Sequence, residues 1–431
     1  MSGTLHKIIV GVDFGTTFTG VSYVDSSKNH IDDIVVIRTW PGPTREQDEV
    51  WKTPSRIAYR SENPSLGEAA AWGYQVESKM KSYSWMKLLL DPQRLNSLNS
   101  EGWGAIKGDG MIKVPSFKHN ACEMCADYLR EIYQYTISYL EKRFLPEVLE
   151  ATSLEFWFTI PAIWSDKAKE DTRQAAIHAG FKGRPKDDII IITEPEAAAI
   201  ATLTTLSDEE SRNYVKAGDI ILICDCGGGT VDIVTYLVNQ TTPVFKFEEL
   251  LVGTGGKCGS TFIDRNFHEW MARTFKSAWE NIKPERKGSG SRFMREFEAA
   301  KRDFGSQGTL NKTFELELVI PNASESEHYN DEDGGLVTFT STEMKSFFRP
   351  VMQQIEKLLD DQIRQLRQVK PLAKIKVGQP HIIGTFDGSV IGVHTYPYSY
   401  LTISRKSCWQ VALEILHTSI RPLAPGVKHE R

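Results

Sequence analysis

Two stretches of the chain share one layout. The first is Ile9-Val-Gly-Val-Asp13-Phe-Gly15-Thr16-Thr17-Phe-Thr-Gly20-Val-Ser-Tyr-Val24; the second is Ile221-Leu-Ile-Cys-Asp225-Cys-Gly227-Gly228-Gly229-Thr230-Val-Asp232-Ile-Val-Thr-Tyr236. Each reads as an apolar strand ending in Asp, a small-residue turn and a returning strand. Asp13 and Asp225 lie 212 residues apart, as do Gly15 and Gly227. A single DxG carries no information. Two in matched strand–turn–strand context mark an internal duplication, and a fold that contains it must hold two equivalent hairpins.

The residue types point to phosphate. Glycines bend the backbone and let it approach a ligand closely. The exposed turn N–H groups form a concave nest for anionic oxygens, and threonine hydroxyls add donors. An Asp at the strand end would repel phosphate alone but suits a hydrated Mg²⁺ that bridges phosphate oxygens. Two such turns facing each other would grip a polyphosphate from both sides. Ordinary tight hairpins with capping Asp side chains are the alternative, but they do not call for three successive glycines. Other nucleotide motifs fail: in Gly253-Thr-Gly255-Gly256-Lys257-Cys258 a cysteine stands where a P-loop hydroxyl or the last glycine of a dinucleotide fingerprint is needed.

Strands are expected at Ile8–Asp13, Thr19–Val24, Ile34–Arg38, Leu154–Ile160, Asp188–Ile192, within Asp219–Val238, and at Lys246–Val252, Phe314–Ile320, Val337–Thr340 and from Lys374. Residues 41–65, rich in Pro, Ser and Glu, read as a surface excursion. Helices are expected from Asn120 to about Glu150, from Ser165 (N-cap) to Ala179 with Gly180 as the stop, and at Glu196–Leu206, Ser260–Trp279, Arg292–Phe304 and Thr342–Val369. Lys283–Ser291 reads as a loop. This alternation is an α/β architecture with mixed sheets.

Charge sets limits on partners. Lys and Arg number 51 against 56 Asp and Glu, a net charge of −5, which gives no electrostatic reason to expect nucleic acid or an anionic membrane. The longest apolar runs fall far short of the ~20 residues that span a bilayer. With no secretory leader pattern in the first residues, a cytoplasmic or nuclear location is expected. Cys122-Glu-Met-Cys125 has CxxC spacing but no second pair, so buried helix cysteines are preferred over zinc or redox chemistry.

The motifs together resemble the heat shock protein 70 (DnaK-type) family of the actin-like ATPase superfamily. Val12-Asp13-Phe14-Gly15-Thr16-Thr17 resembles its first phosphate motif and Asp225 to Asp232 its second. Phe158-Thr-Ile-Pro161-Ala162 and Ala176 to Phe181 resemble the segment before the connecting motif, which Thr193-Glu194-Pro195-Glu196-Ala197-Ala198-Ala199-Ile200 resembles in turn. Trp85 to Asp91 and Gly253 to Gly256 look like the divergent subgroup without a conventional peptide-binding domain.

The resemblance implies a two-lobed actin-like ATPase (ribonuclease H-like) fold with duplicated mixed-sheet lobes, at 1–200 and 201–431, the second divergent or truncated after about 377. It implies ATP/ADP and Mg²⁺ as cofactors, slow ATP hydrolysis, and protein partners or clients. Gly15, Thr16 and Thr17 would hold phosphate oxygens. Asp13 and Asp225 would bind Mg²⁺ through water, with Asp232 supporting the metal shell. Gly227, Gly228, Gly229 and Thr230 would line the second turn, and Gly255 would join them in binding the nucleotide. Lys87 would pair with the terminal phosphate and Glu194 would orient the attacking water. Glu298 and Lys301 would cradle adenosine. The family's late Gly-Gly turn has no counterpart around Gly378-Gln379-Pro380, and residues 378–431 show no resemblance. A pseudo-ATPase scaffold and a small-molecule kinase of the same superfamily are the alternatives.

Overall fold

β1 (Lys7–Phe14) and β2 (Phe18–Asp25) form the first hairpin, and β10 (Ile220–Cys226) and β11 (Val231–Gln240) the second. The coordinates are a computed structural model that describes residues 6–28, 33–42, 50–64, 66, 70–91, 114–206, 215–242, 246–305, 312–331 and 334–371. The expected strand from Lys374 and the divergent stretch 378–431 lie outside the described residues.

The duplication holds to the residue. Asp13 pairs with Gly20 across the first hairpin and Asp225 with Asp232 across the second, so both ladders keep the 212-residue offset. Both strands leading into the turns are almost wholly buried, which is why they read as unbroken apolar runs and not as alternating ones.

The first hairpin lies in a mixed sheet. β3 (Val35–Val36) and β4 (Thr53–Pro54) pair with β2, while β8 (Ser153–Ile160) and β9 (Asp188–Thr193) extend the sheet in parallel beyond β1. β5 (Arg56–Ala58) carries β6 (Ala71–Trp72) and β7 (Tyr83–Ser84) as a small antiparallel sheet. The second hairpin continues into β12 (Lys246–Gly256). β13 (Thr313–Glu317), β15 (Leu336–Thr340) and β14 (Tyr329–Asn330) make a further antiparallel sheet.

Helices cover these sheets. α1 (Ala121–Glu141) and α2 (Pro146–Ala151) replace the single expected helix; Leu145, extended before Pro146, breaks it, because a residue preceding proline avoids the helical region. α3 (Asp166–Ala179) starts as expected, with the Ser165 hydroxyl accepting from the Ala168 N–H at 3.2 Å, and stops at Gly180 with φ +110°. α4 is Glu194–Leu206, α5 Thr261–Glu280, α6 the four-residue Pro284–Lys287, α7 Arg292–Asp303 and α8 Ser341–Val369. α6 falls in the stretch expected to be a loop, started by a proline at its first position. α8 opens on a capping box between Thr340 and Glu343.

One large core joins α1 and α3 to the first sheet through Val10, Phe14, Leu129 and Phe156. A second joins α5, α7 and α8 to β13 and β15, where Phe267 stacks on Phe297 with ring centroids 3.8 Å apart. Ala197, Ala198 and Ala199 of α4 pack with Ile221 and Ile223 of β10, so residue 200, the expected division between lobes, lies inside a helix that packs on the second hairpin.

Two expectations need correction. The stretch 41–65 is not a surface excursion throughout: Thr53, Ser55, Ile57 and Ala58 are buried, Thr53 in register with Thr19 of β2 and Ser55 against the first glycine turn. The strand expected at Lys246–Val252 runs four residues further: Gly253–Gly256 continues β12, and Gly255 pairs with Asp232.

Candidate nucleotide site

Each glycine turn is knit internally. The Gly15 N–H donates to Phe18 O at 3.1 Å and the Gly227 N–H to Thr230 O at 2.8 Å, the same closure 212 residues apart. A Cβ on Gly15 would stand 2.3 Å from the Phe18 carbonyl oxygen, so only glycine closes this turn unshifted.

The two turns meet face to face. A Cβ on Gly228 would lie 2.5 Å from Thr17 Oγ1, and one on Gly229 2.7 Å from Thr16 Oγ1 and 2.8 Å from Leu88 Cδ2. The structure thus brings Gly15, Thr16, Thr17, Gly227, Gly228, Gly229 and Thr230 into one place, with donors from both hairpins converging there.

Each turn is supported from behind by a different device. Under the first, the Ser55 hydroxyl donates to Gly15 O at 2.7 Å and the Ser55 N–H to Thr17 O at 2.8 Å. Under the second lies the start of α5. The Ser260 N–H donates to Gly227 O at 3.1 Å and the Thr261 N–H to Gly228 O at 2.9 Å, so the helix's unpaired N–H groups cap the turn. Gly259 packs so tightly here that a Cβ would sit 2.5 Å from Gly227 O and Gly228 O.

Four buried carboxylates belong to the site. Asp13 receives Lys52 Nζ at 2.8 Å on one oxygen and the Thr159 hydroxyl at 3.0 Å on the other. Burial alone would raise its pKa, but Lys52, with help from Lys87 and Thr159, holds it below the ordinary value. Asp225 faces Asp232 across the ladder, and both are buried. Asp232 accepts the Ile163 N–H at 3.1 Å on Oδ1, while Oδ2 is buried with no hydrogen-bond partner. Burial, and next the charge of Glu194, push the Asp232 carboxyl up to about 7.

Glu194, the first residue of α4, is the fourth. It accepts Lys87 Nζ at 2.6 Å in an ion pair whose lysine is 2% exposed. Lys87 sits in a 3₁₀ turn (Met86–Leu90) entered through Trp85 in a left-handed conformation. The Lys87 ammonium lies 5.4 Å from the ring of Trp164, whose buried indole N–H has no partner.

Glu298 and Lys301 lie one turn apart on α7 in a cluster of charged groups. Lys301 pairs with Asp264 at 2.8 Å and with Glu298, and Arg302 also reaches Glu298 at 2.8 Å. Burial opposes the Glu298 charge, but these cations hold its pKa low. Arg302 approaches the ring of Phe18, at the exit of the first turn, at 5.9 Å. Gly255 has a packing reason of its own: a Cβ there would strike Val231 O at 2.5 Å and Ile163 Cγ2 at 2.7 Å.

Sequence reasoning passed over Lys52, Thr159, Ser55 and Gly259. Only Gly259 left a local signal, as the glycine just before Ser-Thr at a helix start. Cys122 and Cys125 lie in α1 as free thiols, with Cys125 fully buried, and no group of three His, Cys, Asp or Glu able to hold a metal occurs among the described residues. No helix among them is long and apolar enough to cross a membrane.

The geometry suits a hard cation. Two buried carboxylates face each other across β10 and β11, one with an oxygen lacking a partner and a raised pKa, and a divalent ion would relieve both.

Comparison with known proteins adds an independent line. The family model described as "Hsp70 protein" matches residues 9–370. Human "Heat shock 70 kDa protein 12A" is 26% identical over 375 residues, covering 73% of this chain and 52% of that protein. Human "Heat shock 70 kDa protein 12B" is 26% identical over 383 residues, with the same coverage. "Chaperone protein DnaK" of Metamycoplasma hominis is 26% identical over 305 residues, covering 71% of this chain and 42% of that protein. The chain spans about half the length of the curated relatives it matches.

Proposed function

The chain belongs to the Hsp70 family and has its actin-like ATPase fold, and from that premise we propose that it binds ATP with Mg²⁺ between the two glycine turns and hydrolyses it slowly. The observation that carries the reading is the apposition of Thr16 and Thr17 with Gly229 and Gly228 beside the buried Lys87–Glu194 pair. The two cores, taken as lobes at 1–200 and 201–431, would close on a polyphosphate that contacts both turns, because such a ligand favours the closed state.

Gly15, Thr16 and Thr17 on one side, and Gly227 to Thr230 on the other, bind phosphate oxygens. Asp13 and Asp225 would hold hydrated Mg²⁺, with Asp232 supporting its water shell; when bound, the ion supplies charge neutralisation on the phosphates. Glu194 accepts a hydrogen bond from the attacking water and so orients it. Lys87, released from Glu194 toward the terminal phosphoryl group, offsets the charge that develops as the bond to the leaving oxygen breaks and that to water forms. Glu298 and Lys301 hold the adenosine side. Chaperone action on client proteins, and a cytoplasmic location, are part of the same proposal.

Calorimetric titration of the chain with ATP, with and without Mg²⁺, tests it, followed by single-turnover phosphate release. Mg²⁺-dependent binding, with Glu194→Gln slowing release far more than it weakens binding, is the expected result. A folded chain that binds no ATP refutes the reading in favour of a scaffold.

A further inference from the structure

Lys87 is 2% exposed, and Glu194 is its one ion-pair partner among the described residues. Two aromatic rings share the work of holding its charge out of water. The ammonium lies 5.9 Å from the ring of Phe14, the residue between Asp13 and Gly15, and 5.4 Å from the ring of Trp164. Both rings are buried. Both distances fall within the ~6 Å over which the negative face of an aromatic ring attracts a cation.

Trp164 is placed by its chain neighbours. It lies between β8 and α3. On one side of it the Ile163 N–H donates to Asp232 Oδ1 at 3.1 Å. On the other the Ser165 hydroxyl donates to Asp91 Oδ1 at 3.2 Å, and Asp91 directly follows the 3₁₀ turn that carries Lys87. Three consecutive residues therefore touch the second hairpin, the Lys87 ammonium and the end of the Lys87 turn.

The polar atom of Trp164 does not explain its presence. Its N–H is buried without a hydrogen-bond partner, whereas a buried indole usually finds one. An aliphatic side chain would leave no donor unsatisfied. The ring is what remains, and indole offers a cation the strongest attraction of the aromatic faces.

We propose that Trp164, together with Phe14, is a positioning residue for hydrolysis: its ring holds the Lys87 ammonium in place as the lysine passes from Glu194 to the terminal phosphoryl group. The proposal rests on the nucleotide reading above. Lys87 remains the group that meets the phosphate, and Trp164 acts through it.

Phe and Leu variants of Trp164 separate the ring from the space it fills. Both lose the indole N–H and both are smaller, but only Phe keeps an aromatic face. Single-turnover phosphate release is expected to be about 5- to 30-fold slower in Trp164→Leu than in Trp164→Phe, the range of a desolvated cation–π contact. ATP affinity by calorimetry should be nearly alike in the two. A second readout needs no nucleotide. In urea unfolding, the gap in midpoint between the two variants should shrink when Lys87→Met removes the cation. Trp164→Met replaces Trp164→Leu if the latter does not fold, and Glu194→Gln is added throughout the cycle if Lys87→Met does not.

A tryptophan that merely fills space leaves the gap unchanged, and that result overturns the proposal. So does equal phosphate release from the Phe and Leu variants. Wild type that binds no ATP refutes the nucleotide reading itself and takes the hydrolytic role of Trp164 with it, whatever the unfolding cycle shows.

Discussion

Asp13 faces Gly20 across the first hairpin, while Asp225 faces Asp232 at the same register of the second. Behind the first turn stands an extended segment that contributes a serine hydroxyl and a lysine. Behind the second stands the start of a 20-residue helix, which contributes backbone N–H groups. The backbone closure is common to both, from Gly15 to Phe18 and from Gly227 to Thr230. Hydrogen-bond register follows local chain geometry and survives duplication. Charge balance depends on the groups around each copy, and these have diverged: Asp13, despite its burial, is held below its ordinary value chiefly by Lys52, while Asp232, which stands where the first hairpin has Gly20, is pushed up to about 7 by burial and by Glu194.

The sharpest way to break the comparison is to remove the charge both turns lean on. Lys87 lowers the pKa of both Asp13 and Asp232 and pairs with Glu194. Lys87→Met leaves Glu194 buried and unpaired and should cost about 3–5 kcal/mol in urea unfolding. An unchanged midpoint would mean that the pair is not desolvated and that the turns are electrically independent.

Asp232→Asn sharpens the contrast through pH. The folded carboxyl keeps its proton up to about 7, whereas the ordinary value is 3.8. Without nucleotide, the stability that Asp232 contributes is therefore lost as pH rises from about 4 to 7 and stays lost above. Asn cannot ionise, so the variant should be more stable than wild type at pH 8, by a gain of the order of 1–3 kcal/mol that closes near pH 4. Melting curves across that range check it; a constant difference would contradict the raised pKa.

Ser55→Ala should have the smallest effect, about 1 kcal/mol, from the loss of the hydroxyl bond to Gly15 O. Hydrogen exchange should report the loosening at Gly15–Phe18 and leave Gly227–Thr230 unchanged. Equal loosening of both turns would show that they are coupled mechanically.

What could be read in the sequence follows the same division. The hairpins, their offset, the Ser165 cap and the Gly180 stop are encoded within a few neighbouring residues. The site's partners are not. Lys52 and Thr159 reach Asp13 across 39 and 146 residues, and no local pattern records such pairings. Composition misled at Ser55, where a polar residue is buried because its hydroxyl finds a carbonyl to bond. Gly255 drew attention as a glycine beside other glycines, but its reason is close packing in β12, while the lone Gly259 meets the turn.

Trp164 gives the site an optical consequence. Its indole is buried, and its nearest charged neighbour among the contacts described is the Lys87 ammonium, 5.4 Å from the ring. Tryptophan emission responds to a full charge at that range, so movement of Lys87 away from Glu194 should shift the colour of one fluorophore among the chain's ten tryptophans. Subtracting the spectrum of Trp164→Phe would isolate that signal and let the ion pair be followed by light, in real time and without a label.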